Sequence, residues 1–199
     1  MNRRDVLKLV ALISMMIDHS YVFFGNQLWI RSIGRLAFPI YCYLIYDGWL
    51  RTSDRDKYAS RLGLSSILAQ YQFSELFRTT GYNVCVTLLF GLIGLSSPPV
   101  ALILALVAEK LNSDYGAVGV FTVAIMRFNW VMAIILISAY QMKYHAVYGL
   151  AAICSLPLIL WYRRDIGEPG SSNKWVRRLW YIGYPGHLLI YYLIKKFIL

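Results

Sequence analysis

The chain has 199 residues, 58% hydrophobic and only 15% charged, with mean hydropathy +0.51. A soluble domain carries about 45–50% apolar and about 25% charged residues. Here the apolar excess recurs from Val6 to Leu199, so the chain reads as a single integral membrane domain over 1–199, with the lipid bilayer as its first partner. The net charge of +10 does not point to nucleic acid, because the cations sit in short clusters between apolar runs. That pattern belongs to membrane topology and to attraction by anionic lipid.

In chain order the expectation is an all-α, polytopic transmembrane helix bundle. Nine hydrophobic segments are placed at about 6–24, 29–50, 58–77, 83–96, 98–111, 116–127, 129–142, 146–162 and 179–197. Spanning a bilayer takes about 20 residues, so the middle four are short and read as tilted, half-spanning or fused across their breaks. The first segment follows Arg3, Arg4 and Lys8, as a signal peptide would. Asp18 and His19 interrupt it and no small-residue cleavage site follows, so it reads as a retained helix. With the N-terminus in the cytoplasm, thirteen of the 20 Lys and Arg fall inside and seven outside. The expected location is the inner or plasma membrane, multi-pass. Cys42, Cys85 and Cys154 match no zinc or redox spacing and read as buried thiols.

The third segment is too polar to face lipid all round, with Ser65, Ser66, Gln70, Gln72, Ser74 and Glu75. It must line a cavity or pack inward. No internal repeat is visible, so an inverted-repeat transporter is not supported.

Asp18 and His19 are two ionisable groups inside one span, where burial costs several kcal/mol on most scales (about 2.5–3.5 for a central Asp). Neighbours on a helix point about 100° apart, so the two reach different partners. Arg35 opens the second span, needs an anion and finds Asp18 the nearest in register, while Arg31 reads as a snorkelling side chain. Pro39 weakens the turn before it. Asp47 and Arg51 form an i,i+4 pair where that span meets the cytoplasm, followed by Arg55, Lys57 and Arg61, a cluster suited to phosphates. Asn83 and Thr87 share a helix face. Asp114, beside Tyr115 and Gly116, reads as a helix cap. In the last span Pro185 and Gly186 kink the helix and free the Tyr181 carbonyl beside Tyr184 and His187. His145 reads as a solvated loop histidine.

Several of these runs resemble the TraX family. They are Leu7-Lys8-Leu9 leading to Ile17-Asp18-His19, then Gly34-Arg35-Leu36-Ala37-Phe38-Pro39-Ile40, then Gly48 with Thr52, Tyr58 and Arg61-Leu62. Asn83-Val84, Thr87-Leu88 and Gly91 continue the order, followed by Asp114-Tyr115-Gly116 with Gly119 and by Tyr184-Pro185-x-His187. That family is named for a conjugation-associated membrane protein that acetylates the pilin N-terminus, and it looks related to wider transmembrane acyltransferases. The resemblance implies acyl transfer from acetyl-CoA to an amine or hydroxyl, such as a peptide N-terminus or a sugar.

The residue inventory suits that chemistry. Attack on a thioester needs a base and oxyanion donors. His19 is the expected base, and Asp18 and Arg35 fix its setting. His187 is the second candidate, to orient the acceptor or donate to the oxyanion. Arg51, Arg55, Lys57 and Arg61 are expected to hold the CoA phosphates, and Tyr115, Asp114, Asn83 and Tyr184 to meet the acceptor. No P-loop, dinucleotide or zinc motif is present in the sequence, so no metal is expected. The competing reading is a small proton- or solute-conducting transporter lined by Asp18, His19, Arg35 and His187.

Overall fold

The structure is a computed structural model that describes residues 2–164 and 174–198, without the side chains of 174–180. The side chains of Lys174, Arg177 and Arg178 and the loop before them therefore lie outside the described residues. What is described is all-α: α1 Arg3–His19, α2 Tyr21–Phe24, α3 Leu28–Gly34, α4 Ala37–Arg51, α5 Arg55–Phe77 and α6 Val84–Gly94. They are followed by α7 Pro98–Lys110, α8 Gly116–Ile125, α9 Trp130–Met142, α10 Ala146–Ile153, α11 Ser155–Arg163 and α12 Lys174–Phe197.

Side-chain caps set several starts. The Asn2 carboxamide accepts from the Asp5 N–H, Asp54 from Lys57, Asn83 from Cys85, and Asn129 from both Val131 and Met132. Proline explains the interruptions. Pro39 and Pro157 lack the N–H that would hold the carbonyls of Arg35 and Ile153, and the chain breaks there, between α3 and α4 and between α10 and α11. Pro185 sits inside α12, yet that helix continues unbroken. Its freed Tyr181 carbonyl accepts from Ser65 Oγ at 3.0 Å, a proton that Ser65 shares with its own Arg61 carbonyl. His187 thus stands on an intact helix, not on a broken one.

Among the described residues two stretches are long and apolar enough to cross a membrane, Arg3–Phe24 and Ala146–Arg163. Helices α5 and α12 have the length but carry more charge. The middle four segments are separate helices of 10 to 13 residues joined as hairpins, not fused spans. At 1.5 Å per residue each is about 15–20 Å long, short of the ~30 Å hydrocarbon core.

Burial on α5 is inverted relative to a soluble helix. Ile67 is 75% exposed, and Leu64, Leu68 and Tyr71 are exposed beside it, while Ser65 and Ser66 are buried. Several of the inward polar groups are bonded: Ser66 Oγ donates to Asn83 Oδ1, and the half-buried Gln70 donates from Nε2 to the Gly81 carbonyl. Polar within and apolar without is the arrangement that lipid favours. Of the three cysteines, Cys42 and Cys85 are buried, but Cys154 is exposed, because it occupies the α10–α11 break rather than a packed face.

Helix α1 runs antiparallel to α3 and α4. Arg4 meets Asp47 at one end, and Asp18 meets Arg31 and Arg35 at the other. Helices α5 and α12 run parallel in extensive contact, with Ser65 against Tyr181 and Leu76 against Lys195. These contacts put two charged clusters at opposite ends of the bundle, about 21 Å apart along the fourteen residues from Arg4 to Asp18.

Candidate active site

At the Asp18 end a cavity of about 250 Å³ opens between α1, α3, α4, α5 and the α7–α8 turn. Its polar wall includes Asp18, His19, Arg31, Arg35, Asp114 and Tyr115, and its apolar wall includes Met15, Phe38, Phe73 and Phe77.

Asp18 and His19 point to different partners. Asp18 pairs with Arg31 Nη1 at 3.0 Å and with Arg35 Nη1 at 3.7 Å. Arg31 is therefore not a snorkelling side chain: it is the closer cation, and its guanidinium also lies 4.4 Å over the Tyr21 ring. The helices approach this closely because residue 34 is glycine. A Cβ on Gly34 would stand 2.1 Å from Asp18 Cβ.

His19 Nδ1 lies 2.7 Å from His187 Nε2, and His187 Nδ1 lies 3.0 Å from the Gly183 carbonyl. A carbonyl only accepts, so His187 carries its proton on Nδ1 and its Nε2 holds a lone pair. His19 must then donate from Nδ1, which leaves His19 Nε2 unprotonated on a side chain lining the cavity. The rings are stacked at 5.0 Å, and Phe77 packs on His19 at the same distance. Both nitrogens of His187 are engaged in this relay. Neither nitrogen is left free for an oxyanion in this arrangement, and His187 sets the tautomer of His19.

Tyr115 is held in the left-handed region at φ 63, before Gly116 at φ 46. The strain, of order 1–3 kcal/mol for such residues, turns its ring onto Phe38 at 3.7 Å between centroids. Gly119 makes room, since a Cβ there would meet Thr87, Tyr115 and Phe38. Arg35 Nη1 donates to the Tyr115 hydroxyl oxygen at 3.3 Å, which leaves the phenolic proton to be donated elsewhere.

Asp114 does not cap α8. Glu109 Oε2 accepts from the Ala117 N–H instead, while the Asp114 N–H donates to the Tyr82 carbonyl. The Asp114 side chain is exposed, and it lines the cavity. Surrounding protein pushes its carboxyl up to about 6, against the pull of Arg35.

Asn83 and Tyr184 do not line this cavity. Asn83 is fully buried, capping α6 and donating to the Ser66 carbonyl and to Gln70 Oε1. Tyr184 is buried with its ring edge-on to both histidines. His145 is exposed and also caps α10, accepting from the Val147 N–H.

At the far end, Asp47 binds Arg51 at 3.0 Å and Arg4 at 3.1 Å, and accepts from the Tyr162 hydroxyl. Arg55 lies 4.2 Å over Trp49, Lys57 pairs with Asp54, and Arg61 lies 6.0 Å over Tyr181. All four expected phosphate ligands keep exposed surface. Among the described residues no cluster of three or more His, Cys, Asp or Glu could hold a metal ion.

Sequence reasoning quoted Gly34 without its packing role and missed Gly183 and Phe77. An interior helical glycine just before Arg35 was the available signal for the first. Nothing local marks the other two.

The family model described as "TraX protein" matches residues 3–195. The chain is 31% identical over 136 residues to a probable fimbrial assembly protein FimC, serogroup H1, of Dichelobacter nodosus, covering 55% of each chain. It is 32% identical over 94 residues to an uncharacterized protein of Rickettsia prowazekii (strain Madrid E), covering 45% of this chain and 35% of that one. The matches thus span about half and about a third of these curated relatives. No solved structure matches.

Proposed function

The chain belongs to the TraX family, and from that footing we propose a membrane-embedded acyltransferase. It would move an acetyl group from acetyl-CoA to an amine or hydroxyl of a membrane-associated or extracytoplasmic acceptor. The observation that carries this reading is the histidine relay, which presents His19 Nε2 as a base beside an Arg-polarised tyrosine.

In the proposed step the acceptor nitrogen or oxygen attacks the thioester carbonyl and passes its proton to His19 Nε2. The carbon–sulfur bond breaks, and the imidazolium returns the proton to the leaving thiolate. The Tyr115 hydroxyl donates to the oxyanion. Asp18, held by Arg31 and Arg35, anchors α1 so that His19 keeps its place. Arg55, Lys57 and Arg61, with Arg51, would meet the CoA phosphates from the basic end. The donor arm then has to lie along the bundle toward the cavity, past the short middle helices α6–α9. The fimbrial name of one relative favours a pilin-like peptide N-terminus as acceptor over a sugar.

The conducting-channel reading is less well supported. The relay ends on a backbone carbonyl, and Asp18 is tied to two guanidiniums, so neither continues a path.

Purified protein incubated with radiolabelled acetyl-CoA and a peptide bearing a free N-terminus should transfer label. General base catalysis typically contributes about 10²–10⁴-fold, so His19→Gln should lose at least about 10²-fold in kcat. Arg55→Ala and Arg61→Ala should instead raise KM for the donor. Full turnover in well-folded His19→Gln would overturn the assignment.

A further inference from the structure

A second cavity lies outside the candidate active site, at the C-terminal ends of α5 and α12. It is a groove of about 530 Å³ lined by Tyr71, Glu75 and Arg78 from one side and Tyr192, Lys195 and Lys196 from the other. We infer that this groove binds the phosphate of an anionic phospholipid, with the acyl chains lying against the exposed apolar faces of α5 and α12.

Charge is the first argument. Three cations face one carboxylate, and among the described residues none of the three lies within ion-pair distance of an acidic group. Lys195 Nζ donates to the Leu76 carbonyl at 3.1 Å, which uses one of its three protons. Lys196 rests 5.5 Å over Tyr192 and 5.6 Å over Phe197. The Tyr71 and Tyr192 hydroxyls bond to each other at 3.3 Å across the groove, which leaves one further proton to donate. The charge asymmetry along the chain assigns this end to the outer face, where topology asks for no cations.

Backbone strain is the second. Arg78 ends α5 in the left-handed region, at φ 50 and ψ 48, with its N–H donating to the Ser74 carbonyl. Glycine fills such positions without strain. A guanidinium kept where glycine is favoured indicates that the charge itself is used.

The third argument separates a lipid from a free anion. Leu64, Leu68 and Tyr71 form an exposed stripe on α5 at helical spacing, leading to Glu75, and Leu189 and Leu193 do the same on α12, leading to Lys196 and Phe197. Cations and tyrosine hydroxyls above two exposed apolar stripes match a headgroup above its chains.

The test uses the purified full chain in phosphatidylcholine nanodiscs, titrated with short-chain phosphatidylglycerol, with short-chain phosphatidylcholine and with inorganic phosphate. Thermal unfolding and native mass spectrometry give the readouts. Phosphatidylglycerol alone should bind and raise Tm. Lys195→Gln with Lys196→Gln should weaken it by on the order of tenfold or more. Arg78→Gly should weaken it while leaving the Tm in phosphatidylcholine unchanged or higher, and Glu75→Gln should tighten it. Equal stabilisation by inorganic phosphate, lost in the same variants, would make this a free-anion site and overturn the lipid assignment. Undiminished phosphatidylglycerol binding in the lysine pair, or no tightening in Glu75→Gln, would overturn it as well.

Discussion

Substituting Gly34 by Ala tests whether the close approach of α1 to α3 holds the cavity together. The new Cβ would lie 2.1 Å from Asp18 Cβ and 2.4 Å from its Cγ and Oδ1. Carbon atoms prefer about 3.5–4.0 Å, so one helix must retreat by about 1.5 Å. Asp18 cannot yield alone, because Arg31 at 3.0 Å and Arg35 at 3.7 Å hold it. Removing a partner from a buried pair costs about 3–5 kcal/mol, and the helical Gly→Ala change returns about 1. As the pair is only partly buried, the net loss should be about 2–3 kcal/mol, a fall of about 4–12 °C in Tm for a chain of this size. His19 follows Asp18 in the same turn, and a displacement near 1 Å at a catalytic group costs about 10²-fold in rate. Gly186→Ala is the control, since its Cβ meets only Ile182 Cγ2 at an ordinary 3.9 Å. Thermal unfolding in detergent and acetyl transfer would be measured for both. If Gly34→Ala melts and turns over like Gly186→Ala, the close approach is not what organises this end.

His187→Phe should keep the stacking on His19 and lose the acceptor that fixes its tautomer. Turnover should fall by about 10²-fold with donor KM unchanged, and wild-type turnover would refute the relay. Asp114→Asn should remove a pH-dependent step near 6. The folded-state carboxyl is raised from 3.8 to about 6 by the protein packed around the cavity, against the pull of Arg35, so it is neutral below that pH and charged above it. Its ionisation should therefore cost stability progressively as pH rises from 3.8 through about 6. A pH titration of Tm that is identical in wild type and Asp114→Asn would refute it. For topology, cysteine at Arg55 should be labelled only from the cytoplasmic side and cysteine at the exposed Asn112 only from outside. Asn112 is the reporter because Ser113 is buried. Labelling of position 55 from outside intact cells would reverse the orientation.

Much of the helical order is local and was legible in the sequence. The helical segments themselves follow from apolar runs of helical length, although the caps that start α6 and α9, Asn83 and Asn129, appear only in the structure. Pro39 withdraws a donor and weakens the turn before it, and the segment read as one over 29–50 breaks there into α3 and α4. The inward polar face of α5 follows from composition alone, since lipid offers no partner to Ser65, Ser66 or Gln70. Even the Asp47–Arg51 pair is a matter of helical spacing.

Tertiary structure decided everything that depends on distant partners. Pro39 and Pro185 carry the same local signal, yet only the first interrupts its helix, because Ser65, 116 residues away from Tyr181, takes up the freed carbonyl. Arg31 and Arg35 lie four residues apart, and only the placement of α3 against α1 makes Arg31 the closer cation to Asp18. His19 and His187 are 168 residues apart, and no pattern along the chain couples them. The tautomer of His19 is fixed by a carbonyl on another helix, so the chemistry of that side chain exists only once α1 and α12 have packed.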